Sequence, residues 1–167
     1  VVVDGLLVDL LDDWNGPVKV LRTGYLVAEE PPQTKQSTRF GQGRAWTDPR
    51  KAKYIRILVK HFRTMYSGPV LQGMLRLSIL YAFPWTQKEA PFRRLGWAPT
   101  AKYVDVDNLL KPVKDSLKKI IMADDSQVVD VRARKIRYER GLVAVRVDEI
   151  TADRSWEANS NRLDKKI

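Results

Sequence analysis

The chain has 167 residues, with 30 Lys and Arg against 20 Asp and Glu, one histidine (His61) and no cysteine. That length suits one domain with a single buried core. The composition excludes Cys/His zinc sites, thiol nucleophiles and, unless a partner supplies residues, Ser-His-Asp triads, leaving carboxylates, lysine, hydroxyls and a hard cation to carry any chemistry.

A net charge of +10 favours polyanionic partners, of which nucleic acid is the commonest, although the same balance also describes an ordinary basic surface. No apolar run reaches the length of a membrane span. The first segment carries aspartates where a signal peptide needs lysine or arginine, so the expectation is a soluble, cytoplasmic protein with no membrane partner.

Residues 1–17 stand apart as an acidic extension with Asp4, Asp9, Asp12 and Asp13. In it Leu6, Leu7, Leu10, Leu11 and Trp14 recur near helical spacing. The core domain is expected over 18–150, and residues 151–167 read as a polar tail. Residues 18–27 predict a first strand, and 31–46, rich in Pro, Gly, Ser and Thr, predict a basic loop carrying Lys35, Arg39 and Arg44 with Phe40 and Trp46.

Thr47-Asp48-Pro49 is a helix-start signal, and Ile55, Leu58, Phe62 and Met65 then share one face of an amphipathic helix. Residues 70–83 alternate, predicting a strand that turns Gln72, Arg76 and Ser78 away from the core. The twenty residues 84–103 read as a long functional loop bearing Arg93, Arg94, Lys102, Phe92 and Trp97. Residues 126–138 and 142–150 predict a C-terminal hairpin turning at Arg140-Gly141, with a bulge near Lys135 and basic residues Arg132, Arg134, Lys135 and Arg137.

Five aspartates fall within residues 105–125 of this basic chain. Asp105 and Asp107, two apart, point the same way in an extended segment. A helix then follows with Leu110, Val113, Leu117 and Ile120 on its buried stripe and Asp107, Lys111, Asp115 and Lys118 on another face. Pro112 requires either a kink or a helix whose regular part starts nearer Lys111.

Paired carboxylates become favourable when a divalent cation neutralises them, and all-oxygen donors select Mg²⁺, with Mn²⁺ the alternative. Equally, Asp-Val-Asp-Asn is a helix-cap sequence, Asp124-Asp125 is a turn, and lysines on helices are commonly solvated. Asp115 and Asp130 read as surface residues. Asp125 can rejoin Asp105 only if the fold lays the following strand beside the one that ends there.

Asp-x-Asp-Asn-Leu-x-Lys at 105–111, Asp-x-Leu at 115–117 and Asp-Asp-x-Gln-Val at 124–128 together resemble the RusA family of Holliday junction resolvases. The similar region runs from about 18 to 150. Residues 117–121, Leu-Lys-Lys-Ile-Ile, depart from the small or glycine-containing turn expected after the helix.

The resemblance implies an α+β fold, a mixed sheet with two main helices packed on one face. It implies Asp105, Asp107 and Asp125 as catalytic, metal-binding carboxylates, Lys111 as catalytic lysine and Asp124 as an auxiliary. It further implies a homodimer nicking four-way DNA junctions in recombination, repair or phage DNA processing. The basic loops and the Arg132 to Arg137 stripe would grip phosphates, with an aromatic wedge at the crossover. Three other readings remain at this point: a nuclease of the same fold acting on flaps and other branched DNA, a non-catalytic DNA-binding module, and an RNA-binding protein.

Overall fold

The computed structural model describes residues 18–33, 39–41, 44–46, 49–101, 105–118 and 120–152. Lys35, Lys102, residues 1–17 and residues 153–167 lie outside them, while Thr151 and Ala152 of the tail expected at 151–167 belong to the last strand.

A five-stranded sheet organises the domain, built from β1 (Val18–Ala28), β4 (Met74–Pro84), β5 (Ala98–Pro99), β6 (Val128–Tyr138) and β7 (Leu142–Ala152). Their order is β1-β7-β4-β6-β5. The sheet is mixed: β4 runs parallel to β6 and antiparallel to β7, β1 antiparallel to β7, and β5 antiparallel to β6. Two helices, α1 (Pro49–Met65) and α2 (Val106–Leu117), pack on one face. The expected α+β architecture is therefore the one observed.

α1 forms as its pattern predicts, with Tyr54, Leu58 and Phe62 buried and Ile55, Val59 and Met65 half-buried. Tyr54, Leu58, Val59, Phe62 and Met65 meet Leu109, Val113 and Leu117 of α2 over Leu75, Leu77, Ile79 and Tyr81 of β4 and Val143, Val145 and Val147 of β7. A second apolar cluster on the opposite face joins Val27, Leu80, Ala82, Ile136, Tyr138, Leu142 and Ala144, with Tyr25 and Trp97 packed against it.

Several expectations need correction. β6 and β7 do not form a hairpin, because β4 lies between them and pairs with both. The chain crosses over the end of β4, whose pairing reaches Ala82 with β7 and Pro84 with β6. A short turn between two alternating runs signals proximity of the strand ends without saying whether a third strand fills the gap.

The register irregularity falls at Val129, between the Leu75/Val128 and Arg76/Asp130 pairs, and from Asp130 to Tyr138 the ladder is regular. Ile136 and Tyr138 share the phase of Arg132 and Arg134 because that sheet face becomes apolar at its far end, so no bulge at Lys135 is needed.

Arg76 and Ser78 are buried, because β4 is the central strand and both of its faces are covered. Arg76 donates to Asp148 Oδ2 through Nη2 at 2.7 Å and Nε at 3.0 Å, while Arg146 Nε and Thr23 Oγ1 donate to Oδ1 at 2.8 and 2.7 Å. Asp130, opposite Arg76 in register, and Asp115 were expected as surface residues and are both half-buried.

The two expected loops both hold structure. Arg39–Gly41 (β2) pairs antiparallel with Arg44–Trp46 (β3), and Gln87–Leu95 is a 3-10 helix leading into β5. Among the described residues no helix is long and apolar enough to cross a membrane.

Candidate active site

α2 starts where extended backbone ends at Asp105 (φ −58°, ψ 142°), and the Asn108 N–H closes the first turn onto the Asp105 carbonyl at 3.1 Å. The exposed Asp105 carboxylate makes no capping hydrogen bond to this helix, although it occupies the capping position. Pro112 lies within a helix that is continuous from Val106, so the regular part does not wait for Lys111.

The buried side of α2 is Leu109, Pro112, Val113, Ser116 and Leu117, while Leu110, expected there, is half-buried. Asp107, Lys111, Lys114 and Lys118 recur at spacings of four, three and four, which aligns them along another face. Asp107 and Lys111 are exposed; Lys114 and Lys118 are half-buried.

The chain then turns on buried Ile120, Ile121 and Met122, fixed to the segment before β4 by Leu71 N–H donating to the Ile121 carbonyl at 2.8 Å. Gly24 of β1 leaves room for this turn, since a Cβ there would lie 2.6 Å from Ile121 Cδ1. Asp124 caps a short 3-10 turn, Asp125–Gln127, by accepting from Ser126 N–H at 2.9 Å.

Gln127 anchors this turn. Its Oε1 accepts from the N–H groups of Ala123 (2.8 Å) and Asp124 (2.9 Å), and its Nε2 donates to the carbonyls of Leu71 (3.0 Å) and Gly73 (3.1 Å). The glutamine of the Asp-Asp-x-Gln motif thus fastens the aspartates to the approach of the central strand.

Asp125 meets the lysine face of α2. Lys118 Nζ lies 2.8 Å from Oδ1 of Asp125 and 3.9 Å from Oδ2 of Asp124, and Lys114 Nζ lies 3.9 Å from Oδ2 of Asp125. The hydrogen bond from Lys118 lowers the pKa of Asp125, and the bonds from Ser126 lower that of Asp124. The Asp125 carboxylate in turn raises the pKa of Lys118. At neutral pH all three groups are charged.

The topology required for Asp125 to return toward Asp105 is present: β5 runs antiparallel to β6, heading toward the end of β6 that Asp125 precedes. The donors suit a hard cation, being exposed or half-exposed carboxylate oxygens with no imidazole or thiolate beside them. Among the described residues, however, no three acidic or histidine side chains are gathered closely enough to enclose an ion, and Asp125 is paired with lysine.

The expected phosphate-contacting residues fall into three groups. Arg93 and Arg94 are exposed on the 3-10 helix. Arg132 and Arg134 lie on the sheet face away from the helices and Lys135 on the helix face, as their opposition to Ser78, Leu80 and Tyr81 of β4 shows. Arg137 is buried, with Nη2 3.0 Å from Glu89 Oε2 and Nη1 donating to the Pro84 carbonyl at 2.9 Å, so as placed it braces the fold. Arg39 and Arg44 open β2 and β3. Neither Lys118 nor Gln127 had been singled out for a role, although Gln127 stands within a motif the sequence displays.

The family model described as endodeoxyribonuclease RusA matches residues 29–148, more than half of the chain. The uncharacterized protein YqaN of Bacillus subtilis (strain 168) is 34% identical over 116 residues, covering 63% of this chain and 79% of that protein. The crossover junction endodeoxyribonuclease rusA of Lactococcus phage r1t is 29% identical over 77 residues, covering 46% of this chain and 55% of the phage protein.

Proposed function

Because this chain belongs to the RusA endodeoxyribonuclease family, we propose that it is a Mg²⁺-dependent nuclease that resolves four-way DNA junctions by paired nicks. The observation that carries the reading is the exposed side of α2. There Asp105 and Asp107 stand at the helix start, the lysine face follows, and the Asp125 turn is fastened beside that face by Gln127.

Asp105, Asp107 and Asp125 would hold the cation, with Asp124 as the auxiliary carboxylate. When bound, the ion supplies Lewis acidity to the scissile phosphate. Lys111, one helical turn from Asp107 and exposed, offers fixed positive charge where negative charge grows on the phosphoryl oxygens. Arg93, Arg94, Arg132, Arg134 and Lys135 would contact phosphates along the arms, a role that positions DNA without reading its sequence.

A junction has approximate twofold symmetry. A homodimer with one isologous interface therefore presents two sites to opposed strands.

Cleavage of an end-labelled mobile four-way junction, compared with a linear duplex of the same sequence in Mg²⁺ and in chelator, tests this. Symmetric nicks confined to the junction and lost with chelator are expected. Equal cutting of forks and flaps would shift the reading to a general branched-DNA nuclease, and tight binding without nicks would reduce it to a DNA-binding module.

A further inference from the structure

Lys118 caps the C-terminal end of α2. Of the three carboxylates assigned to a cation, one already has a partner from its own chain: Asp125, at 2.8 Å from the Lys118 ammonium, with Lys114 a further 3.9 Å contact. The half-exposed pair leaves both groups accessible to exchange, with side-chain exposures of 35% for Lys118 and 42% for Asp125.

We propose that Lys118 is a built-in counter-cation for Asp125, holding the carboxylate in the ion-free protein and competing with the divalent ion for it. The inference rests on the reading of Asp105, Asp107 and Asp125 as the cation-binding set. An oxygen engaged by an ammonium must give up or share that bond before it can ligate an ion. The positive charge also repels the incoming cation through space. Both effects act in one direction, toward weaker divalent binding.

The arrangement has a compensating benefit. Without an ion, a bare Asp125 would repel DNA phosphate, whereas the lysine-paired carboxylate does not.

Binding of Mn²⁺ to the full chain, stripped of metal and followed by titration calorimetry, reads this without recourse to cleavage. Lys118→Met should tighten Mn²⁺ binding about three- to fivefold, the scale of a partly exposed ion pair. Lys118→Arg, which keeps the charge, should bind as the wild type does. Adding Asp125→Asn to Lys118→Met should abolish the gain.

Thermal unfolding checks that each variant is folded, and Lys118→Gln replaces the methionine variant if that one is not. Unchanged or weaker Mn²⁺ binding by the folded charge-removal variant, with Asp105→Asn and Asp107→Asn each losing binding, would overturn the role of Lys118 alone. Mn²⁺ binding that is undetectable, or indifferent to Asp105→Asn and Asp107→Asn, would overturn the cation-site reading and this proposal with it.

Discussion

Replacing Asp107 by asparagine removes one charge from the exposed first turn of α2 and leaves its buried stripe intact. Cleavage should fall to background while junction affinity in a gel-shift assay is kept or raised, since a negative charge beside phosphate is lost. Loss of binding together with cleavage would contradict the assignment. The spacing of four between Asp107 and Lys111 reads directly as one helix face, whereas the shared direction expected of Asp105 and Asp107 in an extended segment does not apply, because α2 already begins at Val106. The Lys118–Asp125 pair was not legible, because it joins a helix end to a turn seven residues later and depends on how Ile120, Ile121 and Met122 are seated. Gln127 was visible as a letter in a motif. Its partners, the Leu71 and Gly73 carbonyls, lie more than fifty residues away and belong to tertiary structure.

The 3-10 helix at Gln87–Leu95 shows how an element can escape its composition. Three prolines and several aromatics in 84–103 read as loop, yet Thr86 and Glu89 form a capping box and Glu89 also reaches Arg137 of β6. The hydrogen bonds from Thr86, with the Arg137 charge, hold the Glu89 carboxyl below its ordinary pKa. A carboxylate with a depressed folded pKa contributes stability that is present above its unfolded pKa and lost as the pH falls through the folded one. The segment should therefore lose protection below about pH 4.3, the ordinary glutamate range. Hydrogen exchange of peptides spanning 86–97 between neutral and acid pH should show that loss in the wild type, whereas Glu89→Gln should be less protected at neutral pH and lack the transition. Overlaid profiles would reject the tether. By contrast α1 was readable from its 3.6-residue apolar period, although buried Tyr54 was not on the expected stripe and the Thr47-Asp48 start signal lies outside the described residues.

At the scale of the molecule, the central position of β4 decides what periodicity could not. An alternating run was expected to turn Arg76 outward, but a strand covered on both faces must bury it, and Asp148 neutralises it there. Asp148 is 1% exposed and receives two arginines and a threonine. Asp148→Ala strands buried positive charge and should destabilise the fold by about 3–5 kcal/mol, measurable by urea unfolding followed by circular dichroism. A loss under 1 kcal/mol, the surface-pair scale, would show that the network carries little of the stability. The mixed sheet with helices on one face was legible through the motif resemblance. The insertion of β4 between β6 and β7 was not, because strand order is a property of long-range pairing that no local pattern records.

The pairing of β1 with β7, Val18 opposite Ala152, also has a meaning in time. Among the described strands β7 is the only neighbour of β1, so β1 must wait until β7 has left the ribosome. At roughly 5–20 residues per second that wait lasts about 6 to 25 seconds. During it the apolar end of β1, Leu26 to Ala28, lacks its β7 partner, and α1, made after the short β2–β3 pair, is the earliest helix that packs on β1. The amphipathic helix that roofs the finished core would thus serve, during synthesis, as a chaperone encoded in the chain itself.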